Sequence, residues 1–62
     1  MTKYEIVKRR GWYYIAKIKK SERKTTIKYY RKGKWVNNIV KGDSYEKPGL
    51  AQAVLSEIQK NN

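Results

Sequence analysis

Sixty-two residues carry a net charge of +11, with no cysteine and no histidine. A chain this short makes one domain and buries only about 60% of its unfolded surface. Disulfides and thiolate metal sites are excluded, and with histidine goes the usual general base.

The charge is concentrated. Between Lys8 and Lys41 thirteen basic residues face a single acid, Glu22. From Gly42 onward Lys47 and Lys60 stand against Asp43, Glu46 and Glu57. A positive field confined to one part of a small protein points to a polyanion, most commonly nucleic acid. No apolar run approaches the roughly 20 residues of a membrane span. The opening Met1-Thr2-Lys3-Tyr4-Glu5 lacks a signal-peptide core, so the sequence reads as cytoplasmic.

In chain order, Lys3 to Arg9 reads as a strand with Tyr4, Ile6 and Val7 as its apolar members, and Arg10-Gly11 as a tight turn. Trp12 to Lys20 is the clearest strand. Trp12, Tyr14, Ala16 and Ile18 share one face and are expected in the core. Tyr13, Ile15, Lys17 and Lys19 share the other. Ser21-Glu22-Arg23-Lys24 is a hairpin loop. Thr25 to Arg31 is a third strand, with Ile27 and Tyr29 on one face and Thr26, Lys28 and Tyr30 opposite. Lys32-Gly33 signals a turn. Lys34 to Val40 reads as a fourth short strand or an extension after a bulge, with Asn37-Asn38 counting against a strand. Trp35 is either an exposed ring or a lid over the second hydrophobic edge.

After Gly42-Asp43-Ser44 the period changes. Pro48 suits a first helical turn, and Leu50, Ala51, Val54, Leu55 and Ile58 form a stripe at helical spacing. Asn61-Asn62 ends the chain. The stripe reads as core, with a dimer surface as its alternative. The predicted architecture is α+β: a three- or four-stranded antiparallel sheet with one C-terminal helix on one face. A single helix leaves the other face open. By alternation that open face is expected to carry Tyr13, Lys17, Lys19, Lys28 and Tyr30.

Tyr14-Ile15-Ala16-Lys17-Ile18 is similar to the aromatic-x-Ala-x-Ile strand of the plant ethylene-response-factor type DNA-binding domain. Tyr45, six residues before Ala51, resembles the sheet-to-helix junction of that domain and of the arm-type domain of phage and transposon integrases. The resemblance implies a three-stranded sheet on a helix, with the open face in the DNA major groove. By position it gives groove-facing roles to Arg9, Arg10, Tyr13, Lys17, Lys19, Lys28 and Tyr30. The stretch from Ile18 to Tyr45 is longer than those families need, which predicts an extra hairpin around Lys32-Gly33. The opening Tyr4-Glu5-Ile6 and a closing helix introduced by a tyrosine are also similar to small uncharacterised bacterial domains, a likeness that implies fold alone.

The expected function is non-catalytic binding of nucleic acid, double-stranded DNA on the open basic face of the sheet before RNA, as in a phage or mobile-element protein, whether monomer or homodimer. Arg9, Arg10 and Lys17 are the candidates for base contacts. Lys19, Lys20, Lys24, Lys32 and Lys34 are those for phosphates. The alternatives are an acidic protein partner, or RNA and single strands stacked on Tyr13, Tyr30 and Trp35. Twelve lysines against four arginines lean toward contact at the phosphates. No cofactor or metal is expected. Asp43, Ser44 and Glu46 form no metal spacing and read as loop or capping groups rather than as catalysts.

Overall fold

The computed structural model describes residues 2–60; Met1, Asn61 and Asn62 lie outside the described residues. Four strands, β1 (Thr2–Arg9), β2 (Trp12–Lys20), β3 (Thr25–Arg31) and β4 (Lys34–Val36), form one antiparallel sheet in the order β1-β2-β3-β4. A 3-10 turn (Ile39–Lys41) and a C-terminal helix, α1 (Pro48–Lys60), complete it.

Two-residue turns join β1 to β2 and β3 to β4. Both residues of each are left-handed: Arg10 at φ 52 with Gly11 at φ 82, and Lys32 at φ 41 with Gly33 at φ 86. This is the turn whose twist matches paired strands. The fourth strand stops at Val36, short of Val40. Asn38 is the cause: its side-chain carbonyl accepts the Val40 N–H at 3.0 Å and starts the 3-10 turn.

A two-residue turn at Arg10-Gly11 fixes the register of β1 on β2. Ile6 lies opposite Ile15, Tyr4 opposite Lys17 and Lys8 opposite Tyr13. The side chains on that face meet the helix. Ile15, Ala51 and Leu55 form the buried cluster, with Tyr4, Ile6, Tyr13, Tyr30, Trp35, Tyr45, Val54 and Ile58 packed around it. The expected faces are therefore exchanged. Tyr13 and Tyr30 lie on the helix side, and alternation puts Lys17, Lys19 and Lys28 there too. Trp12, Tyr14, Ile18, Ile27 and Tyr29 stand on the opposite face. The reason is partnership across strands: β1 brings Tyr4 and Ile6 to the Ile15 face and only Val7 to the other.

The helix packs chiefly on β1 and β2. Over β3 and β4 the cover is Trp35, so this ring is a lid. Its centroid lies 5.4 Å from Tyr30 and 5.9 Å from Tyr4. Tyr4 and Trp35 belong to opposite edges of the sheet. In a flat sheet those edges would lie about 14 Å apart, at about 4.8 Å per strand step. The sheet is therefore curled around its helix side, and the far face is convex.

β2 and β3 pair from Ala16↔Tyr29 to Lys20↔Thr25 and then separate. The chain itself fills the gap. The Asp43 N–H donates to the Tyr30 carbonyl at 2.9 Å, and Tyr13 and Tyr45 exchange both backbone bonds at 2.9 and 2.8 Å. Gly42 passes so near Tyr29 that a Cβ there would lie 3.1 Å from the Tyr29 Cβ. The connection thus crosses the convex face at Tyr29 before reaching the helix. Lys47 then supplies the carbonyl that opens α1, accepting from the Leu50 and Ala51 N–H groups.

The two tryptophans should separate by unfolding. Removing a packed ring costs about 3 kcal/mol, and a domain this size loses about 4–8 °C per kcal/mol. Trp35→Ala is expected to drop the thermal midpoint by more than about 10 °C. Trp12→Ala should lower it by only a few degrees. Equal losses in the two variants, measured by circular dichroism, would refute the lid.

Candidate nucleic-acid interface

The convex face combines exposed apolar side chains with a cationic border. Trp12 is 43% exposed and Ile27 44%, values high for such large apolar groups. Val7, Tyr14, Ile18, Tyr29 and Val36 are half-buried on the same face, and Ala16 is fully buried between them. Lys3, Arg9, Lys20, Arg31 and Lys34 take the remaining positions near the strand ends. The only acid that the strands put on this face is Glu5, held by Lys3 at 3.0 Å.

Charge is not spread evenly along the face. The two left-handed turns lie at the same end of the sheet, since β1 and β3 run in the same direction. That end holds Arg9 and Arg10 next to Trp12, and Arg31, Lys32 and Lys34 across the gap that residues 43–45 fill. Three of the four arginines are among them. Two acids lie at this end, Asp43 and Glu46, the latter placed opposite Trp12 by the Tyr13–Tyr45 bridge. The Asp43 carboxylate accepts the Lys32 backbone N–H at 2.9 Å, so it secures the β3–β4 turn rather than capping the helix.

The sequence-derived candidates divide into three groups. Arg9 and Lys34 stand on the convex face. Arg10 and Lys32 sit at the turns bordering it. Tyr13, Lys17, Lys19, Lys28 and Tyr30 lie on the helix side and do not join the others. There the Lys17 ammonium sits over the Trp35 ring at 5.3 Å, and Lys8 approaches the Tyr13 ring at 5.6 Å. Lys17 and Lys28 are direct cross-strand partners. Like charges so placed repel, and the ring beneath Lys17 offsets part of the cost.

Trp12, Tyr14, Arg31 and Lys3 also stand on the convex face, where the pattern of β2 alone does not predict an open surface. The signal for them was present in the register that a two-residue turn at Arg10-Gly11 imposes.

Tyr45 is packed beside Asp43 and Tyr30. Burial first, then the negative charge of Asp43 and the neighbouring Tyr30, raise its phenol above the ordinary tyrosine value. Its neutral form is the one the fold accommodates. Among the described residues no group of three His, Cys, Asp or Glu side chains could hold a metal ion. No described helix is long and apolar enough to cross a membrane.

Compared with known proteins, the chain matches no family model, no curated protein and no solved structure.

Two outcomes are expected here. Lys32→Asn places a residue suited to left-handed backbone in the turn, and should recover part of the roughly 1–2 kcal/mol that this conformation costs. A lower urea midpoint in that variant would be the opposite of the expectation. The second concerns alkali. A raised phenol contributes stability that is complete below its unfolded value and is lost as pH rises through its folded one. Between about pH 8 and 11, spanning the ordinary tyrosine value, Tyr45→Phe should lose less stability than the parent. Parallel losses in the two proteins would refute the role of Tyr45.

Proposed function

We propose that this chain is a non-catalytic nucleic-acid-binding protein that receives unpaired bases on the convex face of its sheet. The observation that carries the reading is Trp12, a large ring left 43% exposed on a face whose strand ends carry Arg9 and Arg31. Tyr14 stands two residues further along the same strand. Side chains so related are rooted about 6.8 Å apart, twice the ~3.4 Å spacing of stacked bases. One base fits between two such rings. Aromatic rings supply sequence-tolerant stacking, and a cationic border supplies phosphate contact.

The same composition argues against reading a duplex in the major groove. Base edges are read by forked or amide side chains projecting from the middle of the docked element. The middle strand here offers Trp12, Tyr14, Ala16 and Ile18 on its convex side. Charge also weighs against a second copy of the chain as occupant. Two faces bordered by Lys3, Arg9, Lys20, Arg31 and Lys34 would bring like charges together. The absence of cysteine and histidine supports a role in binding rather than catalysis.

A competition between single-stranded and duplex oligonucleotides of one sequence tests this. The single strand should bind at least about tenfold more tightly, a difference of 1.4 kcal/mol. Trp12→Ala should weaken it by about 1–3 kcal/mol, the worth of one stacked base. Affinity should fall with salt at a log–log slope of about 0.7 per phosphate contacted. Tighter binding to duplex, or an unchanged affinity in Trp12→Ala, would overturn the proposal. Capture of an acidic protein that survives nuclease would favour a protein partner instead.

A further inference from the structure

The tip of the β3–β4 hairpin holds a second feature, at the end of the convex face. Arg31, Lys32, Lys34 and Val36 line a cleft of about 350 Å³. That volume is at the small end of ligand sites. Three of its four lining residues are cations, and the local structure bears two costs to keep them there. Arg31 and Lys34 are direct cross-strand partners, an arrangement in which like charges repel. Lys32 holds φ 41, a backbone conformation that asparagine or glycine takes with less strain. No carboxylate forms an ion pair with any of the three among the described residues. Asp43 is spent on the Lys32 backbone N–H. Arg10 holds the same left-handed conformation at the other turn; what sets this tip apart is a concavity lined by three cations with no carboxylate paired to them.

We infer that this cleft is a phosphate subsite and that it takes a phosphate monoester, the terminal phosphate of a strand lying on the sheet. The charge count favours a monoester. A monoester carries about −1.5 to −2 at neutral pH and offers three acceptor oxygens, whereas an internal diester carries one charge. Arg31 supplies a planar fork that matches two phosphate oxygens, and the two lysines act as point charges. Arg31 and Lys34 stand on the same face as Trp12 and at the same end of the sheet. A strand anchored there by its end would cross the segment of residues 42–45 to bring its first bases to the rings of β2. The strand part of this inference rests on the proposed function; the phosphate chemistry of the cleft does not.

Two measurements separate those parts. The first is an amide chemical-shift titration with inorganic phosphate, on the parent protein and on an Arg31→Gln, Lys34→Gln double variant. Shifts should cluster at residues 31–34 and vanish in the variant. The second compares oligonucleotides of one sequence that carry a phosphate at the 5′ end, at the 3′ end, or at neither. One phosphorylated end should bind about tenfold more tightly, as expected for a charge-assisted clamp. The double variant should lose that preference, and so should Lys32→Asn in part, although its turn is better suited to the fold. Trp12→Ala should weaken all three ligands alike and keep the preference. Equal affinity for the three ligands in the parent would overturn the terminal-phosphate assignment and leave base stacking standing. Phosphate shifts at residues 31–34 without binding of any oligonucleotide would uphold the cleft for free phosphate or a nucleotide and overturn the strand reading. Shifts scattered over the whole basic surface would overturn the cleft itself.

Discussion

The contact between Tyr4 and Trp35 joins the two edges of the sheet, and the rest of the structure depends on it. Among the described residues only Ile15, Ala16, Ala51 and Leu55 are buried. So small an interior cannot support 62 residues alone. The remaining stability has to come from rings that are half-buried, and a ring contributes most when it touches other rings. Trp35 touches two, and Lys17 lies over it. Closing the edges together also sets the curvature. A curled sheet has a concave side small enough for a 13-residue helix and one indole to cover. Its convex side faces outward, and part of it is crossed by the chain at Tyr29. Trp12 is exposed because the register puts it on the face of β2 that the helix and Trp35 do not cover.

Much of this was legible in the sequence; Leu50, read as part of the core stripe, is exposed, and the larger failure has a single source. Alternation marked β2 and β3 to their end residues, the turn residues marked both hairpins, and the 3.6 period marked the helix. The extra hairpin at Lys32-Gly33 followed from chain length. What periodicity does not state is which of two alternating sets is covered. On β2 taken alone, Trp12, Tyr14, Ala16 and Ile18 are more apolar than Tyr13, Ile15, Lys17 and Lys19, which favoured the wrong face. The pairing with β1 decides otherwise. Once Arg10-Gly11 is a two-residue turn, Ile6 must meet Ile15 and Tyr4 must stand beside Lys17. The core belongs to the face that is apolar across neighbouring strands, because burial is shared between strands.

The lysines on the helix side made that inference harder. Lys17 and Lys28 lie where a core was not expected, yet neither is fully buried. Lysine tolerates such positions by laying its aliphatic stem along apolar surface while the ammonium stays wet or finds a ring. A basic residue within an alternating pattern is thus weak evidence for an open face. Glu5 gives the matching lesson for the convex side, where it is neutralised by its neighbour Lys3 and leaves the sign of the border unchanged.

Under the proposed function, folding and ligand binding are coupled. The net charge of +11 opposes compaction, and the hairpin tips concentrate that repulsion beside two left-handed residues that are not glycine. An anion at the tips removes repulsion that the folded chain has and the extended chain largely lacks. Binding that favours the folded state adds RT ln(1 + [L]/Kd) to its stability, about 2.7 kcal/mol at a hundredfold excess over Kd. That is a large share of what a domain of this length can hold in reserve. Under the proposed function, sequence changes that would relieve the tips in isolation, such as a neutral residue in place of Lys32, weaken the protein's grip on the ligand that stabilises it in use.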